Sequence, residues 1–97
     1  MDEVSFEWNH GKGTANIKKH KVSFDEASTV FDDPLAAIFH DKNHSTDEVR
    51  EIIIGHSKSA RILLVCFTEK SKNLVRIFST RVATKKERKD YEENFPA

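Results

Sequence analysis

Apolar and polar positions along this chain fall into blocks with two different periods, and the blocks mark out its elements. The clearest runs from Arg61 to Arg81: RILLVCFTE, a polar link KSKN, then LVRIFSTR. An almost unbroken apolar centre of that length suits a strand covered on both faces, and the Lys70 to Asn73 link is the length of a hairpin loop. Upstream, LAAIFH (35–40) and VREIIIGH (49–56) read as two further strands, joined by a polar loop from Asp41 to Glu48. Ser57 to Ala60 then turns the chain into the hairpin, and Ser5 to Trp8 forms a short opening strand.

Helical spacing occupies the rest. Asn9 caps a helix from His10 to about His20, with Gly11 and Gly13 weakening its first turn and Lys18, Lys19 and His20 suiting its C-terminal dipole. Ser23 and Glu26 have capping-box spacing, and Phe24, Ala27, Val30 and Phe31 share one helical face, which assigns them to the core. Asp32, Asp33 and Pro34 stop that helix. Thr84 and Glu87 form a second capping box, opening a helix from Lys85 to about Asn94 whose main apolar anchor is Tyr91; Phe95 and Pro96 end it. The order is strand, two helices, a four-stranded meander and a last helix. Short turns favour antiparallel pairing, so the class is α+β, an antiparallel sheet flanked by helices.

Composition narrows the picture further. The 97 residues suffice for one domain, residues 1–97, with a single core. No apolar run approaches the roughly 18 residues of a membrane span, and the N-terminus lacks signal-peptide order, so a cytoplasmic protein with no membrane partner is expected. The lone cysteine, Cys66, sits in an apolar run where burial keeps a thiol inert. His40, Asp41 and His44 lack a third well-spaced histidine or cysteine, so neither a metal nor another cofactor is expected.

Charge changes the functional reading. The formal net charge is +0, yet Asp25 to Gly55 holds eight acidic and two basic residues, and His56 to Ala97 ten basic and five acidic. Such a split makes one face anion-seeking even though the total cancels. Arg61, Arg76 and Arg81 are costly near a small sheet unless they meet carboxylates or project into a cleft. Grouped at one sheet end with Lys85 and Lys86 of the last helix, they would bind a phosphodiester. The competing reading pairs each with Glu7, Glu51, Glu69 or a helix acid. Regular alternation puts Arg76 and Arg81 on opposite faces unless a bulge re-aims Arg81, whereas hairpin closure brings Arg61 towards Arg81. Trp8 offers either a base-stacking surface or a core plug. His20 and His56 carry the side chain suited to proton transfer near neutral pH.

Specific stretches resemble a known family. FEW (6–8), Asn16, KH (19–20), VSF (22–24), EA (26–27), VFDDP (30–34), IGHS (54–57), RILLV (61–65), RIFSTR (76–81) and ERKDYE (87–92) are similar in order and spacing to the BrnT toxins of type II toxin-antitoxin systems. The resemblance implies a RelE-like fold and an RNA-cleaving activity that halts translation. It also implies a BrnA-type ribbon-helix-helix antitoxin, through whose complex alone operator DNA is bound. Lys21 departs from the family's usual glycine, which would strain a left-handed residue ending the first helix. Phe78 and Thr80 depart from the usual small and aliphatic residues of their strand.

Metal-independent RNA cleavage needs an activated 2′-hydroxyl, charge stabilisation on the phosphorane and a proton for the leaving oxygen. With RNA as substrate, Arg61, Arg76 and Arg81 are assigned to the phosphate, Glu69 or His20 to the base, and Lys19, His56 or Tyr91 to assistance. The alternative is a non-catalytic RNA-binding or protein-interaction module. An acidic stretch including Asp41, Asp47 and Glu48, or the exposed sheet edge, is expected to hold the antitoxin.

Overall fold

The computed structural model describes residues 3–42 and 48–94. Its elements are β1 (Ser5–Glu7), α1 (His10–His20), α2 (Phe24–Thr29), β2 (Ala37–His40), β3 (Glu51–His56), β4 (Ile62–Ser71), β5 (Leu74–Val82) and α3 (Lys85–Asn94), with one 3-10 turn, Val30–Asp32, after α2. His44, Asp47, Phe95 and Pro96, used in the sequence reading, lie outside the described residues.

The five strands form one sheet in the order β1-β5-β4-β3-β2. β2 to β5 make the antiparallel meander, while β1 joins β5 in parallel with Ser5, Phe6 and Glu7 beside Leu74, Val75 and Arg76. The sheet is therefore mixed rather than wholly antiparallel. Three residues carry too little pattern to specify a direction, and the Ser5 N–H secures this one by donating to Asn73 O at 2.7 Å.

Alternation divides the sheet into two faces. Ile53, Leu63, Val65, Phe67, Val75 and Ile77 point towards α2, where Val22, Phe24, Ala27 and Val30 complete the main core. Each fully buried aliphatic or aromatic side chain there contributes about 1.5–3 kcal/mol. Ile54 and Ile62 face the other way, under Tyr91 of α3. The rest of that second face is left open beside α3.

Caps form as their residues dictate. Asn9 accepts from the Lys12 N–H at 3.0 Å, and Ser23 Oγ from the Glu26 N–H at 3.0 Å. Thr84 and Glu87 make both bonds of their box, at 2.8 and 3.1 Å. The Ser23–Glu26 box is half made, because the Glu26 carboxylate turns away to Arg61 and Ser57. In α2 the Ser28 and Thr29 hydroxyls donate back to Asp25 O and Glu26 O, which tightens the helix into its 3-10 exit before Asp33 and Pro34. Lys21 ends α1 in the left-handed region at φ 61°, the conformation that glycine adopts without cost.

The β4–β5 hairpin is irregular in two places. Ser71 pairs with Leu74, so its loop is Lys72-Asn73 rather than four residues, and Lys70 is a bulge. Deeper in the sheet, Cys66 opposes Ser79 but Phe67 opposes Ile77, leaving Phe78 without an opposite residue. That second bulge shifts the alternation of β5 by one. Thr80 consequently joins Val75 and Ile77 on the main-core face, and Arg81, opposite Leu64, joins Arg76 on the other. The opposite-face placement expected from regular alternation is corrected by one extra residue.

Candidate nucleic-acid interface

Beyond the end of β1, the edge of β5 is covered by α1. The link is Asn16, whose buried amide donates to Thr80 O and Val22 O, each at 2.9 Å, and accepts from the Thr80 N–H at 3.2 Å. At Gly13 a Cβ would meet Trp8 and Phe24 at ordinary contact distances of 3.5 and 3.6 Å, so the approach of the helix does not depend on the glycine. With α1 fixed along β5, the basic side chains of the helix overhang the open second face.

The space between them is a cleft of about 540 Å³. Ile52, Leu64, Cys66 and Phe78 form its floor; Lys12, Lys19 and His20 come from α1, Arg50 from the approach to β3, and Arg81 from β5. Arg50 places its guanidinium carbon 3.9 Å from the centroid of the Phe78 ring. Among the described residues lining the cleft, Asp41 is the acidic one, buried, with one oxygen 3.5 Å from Cys66 Sγ. Burial, then Asp41, pushes the Cys66 thiol up to about 11, so it is no nucleophile near neutral pH.

Arg81 meets Glu87 side-on, Nη1 to Oε1 at 2.7 Å and Nη2 to Oε2 at 2.8 Å. Two of its five N–H groups are occupied in this way, and its side chain remains 41% exposed along the cleft. This pair holds the Glu87 carboxyl at about 2, well below the usual carboxylate range.

The other two arginines lie elsewhere. Arg61 reaches back to α2: its Nε donates to Glu26 Oε2 at 3.0 Å, one Nη2 bond goes to Glu26 Oε1, and another to Lys21 O at 3.1 Å. It shares the main-core face with Leu63 and Val65, so the expected approach to Arg81 does not occur. Arg76 is on the cleft face but pairs with Glu7 at 2.7 Å and does not line the cleft. The arginines thus follow the carboxylate-pairing reading. Arg61 and Arg76 took partners distant in sequence, whereas Arg81 took Glu87, six residues on.

Of the remaining candidates, Lys19 and His20 line the cleft. Glu69 is exposed towards the far end of β4 and does not. Trp8 packs edge-to-face on Phe24 with ring centroids 5.8 Å apart, the core-plug alternative. His56 and Tyr91 converge instead on Asp33. Its Oδ2 accepts from the His56 N–H at 2.7 Å and the Tyr91 hydroxyl at 3.3 Å, and Oδ1 from the Leu35 N–H at 2.9 Å. Burial raises the Asp33 carboxyl, but the His56 and Leu35 N–H bonds outweigh it and hold the group below its ordinary value. This knot ties α3 to the sheet. Lys85 and Lys86 are exposed on α3 and do not line the cleft.

Sequence reading missed Lys12, Arg50 and Phe78 as members of the cleft. The Phe78 departure in its strand was the available signal, since an aromatic on an open sheet face needs an explanation. A family model described as ribonuclease toxin, BrnT, of type II toxin-antitoxin system matches residues 8–87. The crystal structure of the Brucella abortus ribonuclease toxin BrnT superimposes with a TM-score of 0.67 at 23% identity, covering 84% of this chain and 99% of that one, and so shows a common fold. Comparison with curated protein sequences returns no match. The resemblance read from the motifs is thereby confirmed over most of the chain: the chain belongs to the BrnT family of ribonuclease toxins of type II toxin-antitoxin systems.

Proposed function

We propose that the protein is a metal-independent endoribonuclease that holds single-stranded RNA in the cleft between α1 and the open sheet face, and that RNA loss arrests translation in the cytoplasm. One observation carries this reading: in a chain of zero net charge, Lys12, Lys19, His20, Arg50 and Arg81 converge on one cleft. Clustered cations over an apolar floor suit a phosphate backbone with its bases turned inward. The 2′-hydroxyl attacks the adjacent phosphorus, the P–O5′ bond breaks, and the products end in a 2′,3′-cyclic phosphate and a 5′-hydroxyl. Lys19 and Arg81 stabilise charge on the phosphorane, and His20 transfers the proton. Arg61 and Arg76 support the fold rather than the reaction. A BrnA-like ribbon-helix-helix antitoxin neutralises the toxin, and operator DNA is bound through that complex.

The test is cleavage of a single-stranded RNA by purified protein in EDTA. Cleavage persists, falls about 100-fold or more in His20→Ala, the usual scale for a lost proton-transfer group, and falls less in Lys19→Ala. Activity abolished by EDTA overturns metal independence. RNA bound but never cut supports a non-catalytic module instead.

A further inference from the structure

The bulge of β5 does more than turn Arg81. It leaves Phe78 unopposed on the cleft floor, and Arg50, arriving from a different strand connection, lies over the ring. Phe78 is only partly buried and does not belong to either core cluster. An aromatic kept at a cleft floor and stacked by a guanidinium is an expensive arrangement if its purpose is packing alone, because an aliphatic residue would fill the floor with less exposed apolar surface.

Resting on the reading of the cleft as an RNA site, we infer that Phe78 and Arg50 form a nucleobase-stacking platform. Phe78 supports the Arg50 guanidinium from below, and the outer face of the guanidinium receives one unpaired base of the strand whose phosphates lie along Lys19 and Arg81. The geometry suits this ligand. A guanidinium plane stacks on a base as it does on a phenyl ring, and such contacts accept any base because every base has a π-face. Arg50 retains 29% side-chain exposure, and Glu48 Oε1 lies 3.8 Å from its Nη2. A base in a duplex is already stacked on both sides, so the platform selects single strands.

The inference is tested with two 2′-O-methyl oligoribonucleotides, which cannot be cut, identical except that one carries abasic sites at its central positions. Affinities are measured at one fixed salt concentration for the wild-type chain, Phe78→Leu and Arg50→Lys. Wild type binds the base-bearing strand about tenfold more tightly than the abasic one, the scale of one stacked base. Both variants lose that preference, binding the two strands about equally, and neither substitution removes a charge. Equal wild-type affinity for the two strands, or a preference that survives in Arg50→Lys, overturns the platform and leaves the RNA site intact. If wild type binds neither strand, the RNA reading of the cleft itself fails. Arg50→Lys lies on a partly exposed side chain and tests the same stack should Phe78→Leu fold poorly.

Discussion

Arg81 and Glu87 are held together twice over: the carboxylate that clasps both arms of the guanidinium also closes the N-terminal box of α3 through the Thr84 N–H. With Arg81 as the chief cause, the carboxyl stands at about 2 against an ordinary 4.5. A carboxyl depressed in the folded state stabilises that state fully above its unfolded value, and the contribution is lost as pH falls from 4.5 towards about 2. The side chains of Arg81 and Glu87 are 41% and 32% exposed, which solvent screening discounts to about 1 kcal/mol for the pair and cap together. Glu87→Gln is therefore less stable than wild type at neutral pH, and the gap closes in acid. Urea unfolding across that range measures it.

Arg61 and Glu26 join β4 to α2, with the Ser57 hydroxyl donating to the same carboxylate at 2.7 Å. Removing Arg61 leaves the 15% exposed Glu26 carboxylate without its main partner, so Arg61→Ala costs about 2 kcal/mol, whereas Arg61 is 36% exposed and solvent limits the cost of Glu26→Ala to about 1 kcal/mol. The double variant costs less than the sum, and a double-mutant cycle by chemical denaturation gives a coupling of about 1 kcal/mol. RNA cleavage per folded molecule changes little in Arg61→Ala, and a loss comparable to that of His20→Ala would return Arg61 to the reaction.

Gly55 lies where three segments meet. A Cβ there would stand 2.8 Å from Ala36 Cβ, 3.0 Å from Asp33 Oδ2 and 3.2 Å from Val30 Cγ1. Gly55→Ala forces β3 away from the Asp33 knot and is expected to cost about 1–3 kcal/mol, read as a lowered urea midpoint. Tyr91 fluorescence should report loosening of α3 in the same variant.

Lys21 and Ala60 have φ of 61° and 63°. Replacing either by glycine relieves a left-handed side-chain clash and outweighs the extra freedom of the unfolded chain, for a gain of about 0.5–1 kcal/mol. Thermal unfolding of the two variants and their combination should show additive increases.

Thr80 is 2% exposed, and its hydroxyl has no hydrogen-bond partner among the described residues. Thr80→Val keeps the shape and removes the buried polar atom, so stability should rise by about 1 kcal/mol. The main-chain bonds to Asn16 are untouched, and hydrogen exchange at the Thr80 amide should slow accordingly.

What could be read in advance divides by range. Caps at Asn9, Ser23 and Thr84 depend on residues three apart, and the boundaries of α1 and α3 followed from them. Strands followed from short apolar runs. The direction of β1 and the partners of Arg61 and Arg76 depend on which strands and helices become neighbours, which local pattern does not encode. The bulge at Phe78 is the sharpest case, because it exists only as a mismatch in count between two strands. Lys19, His20 and Arg81 were legible as cleft residues from their chemistry. Lys12, Arg50 and Phe78 were not, because only the folded sheet brings them together.

Asn16 shows how the molecule handles a different hazard. Past the short β1, the main chain of β5 would present an open edge to which another chain could add as a strand. At Thr80 the amide of Asn16 supplies both the acceptor and the donor that such a strand would bring. One side chain thereby imitates a stretch of backbone, and blocks edge-to-edge association beside the cleft without lengthening the sheet.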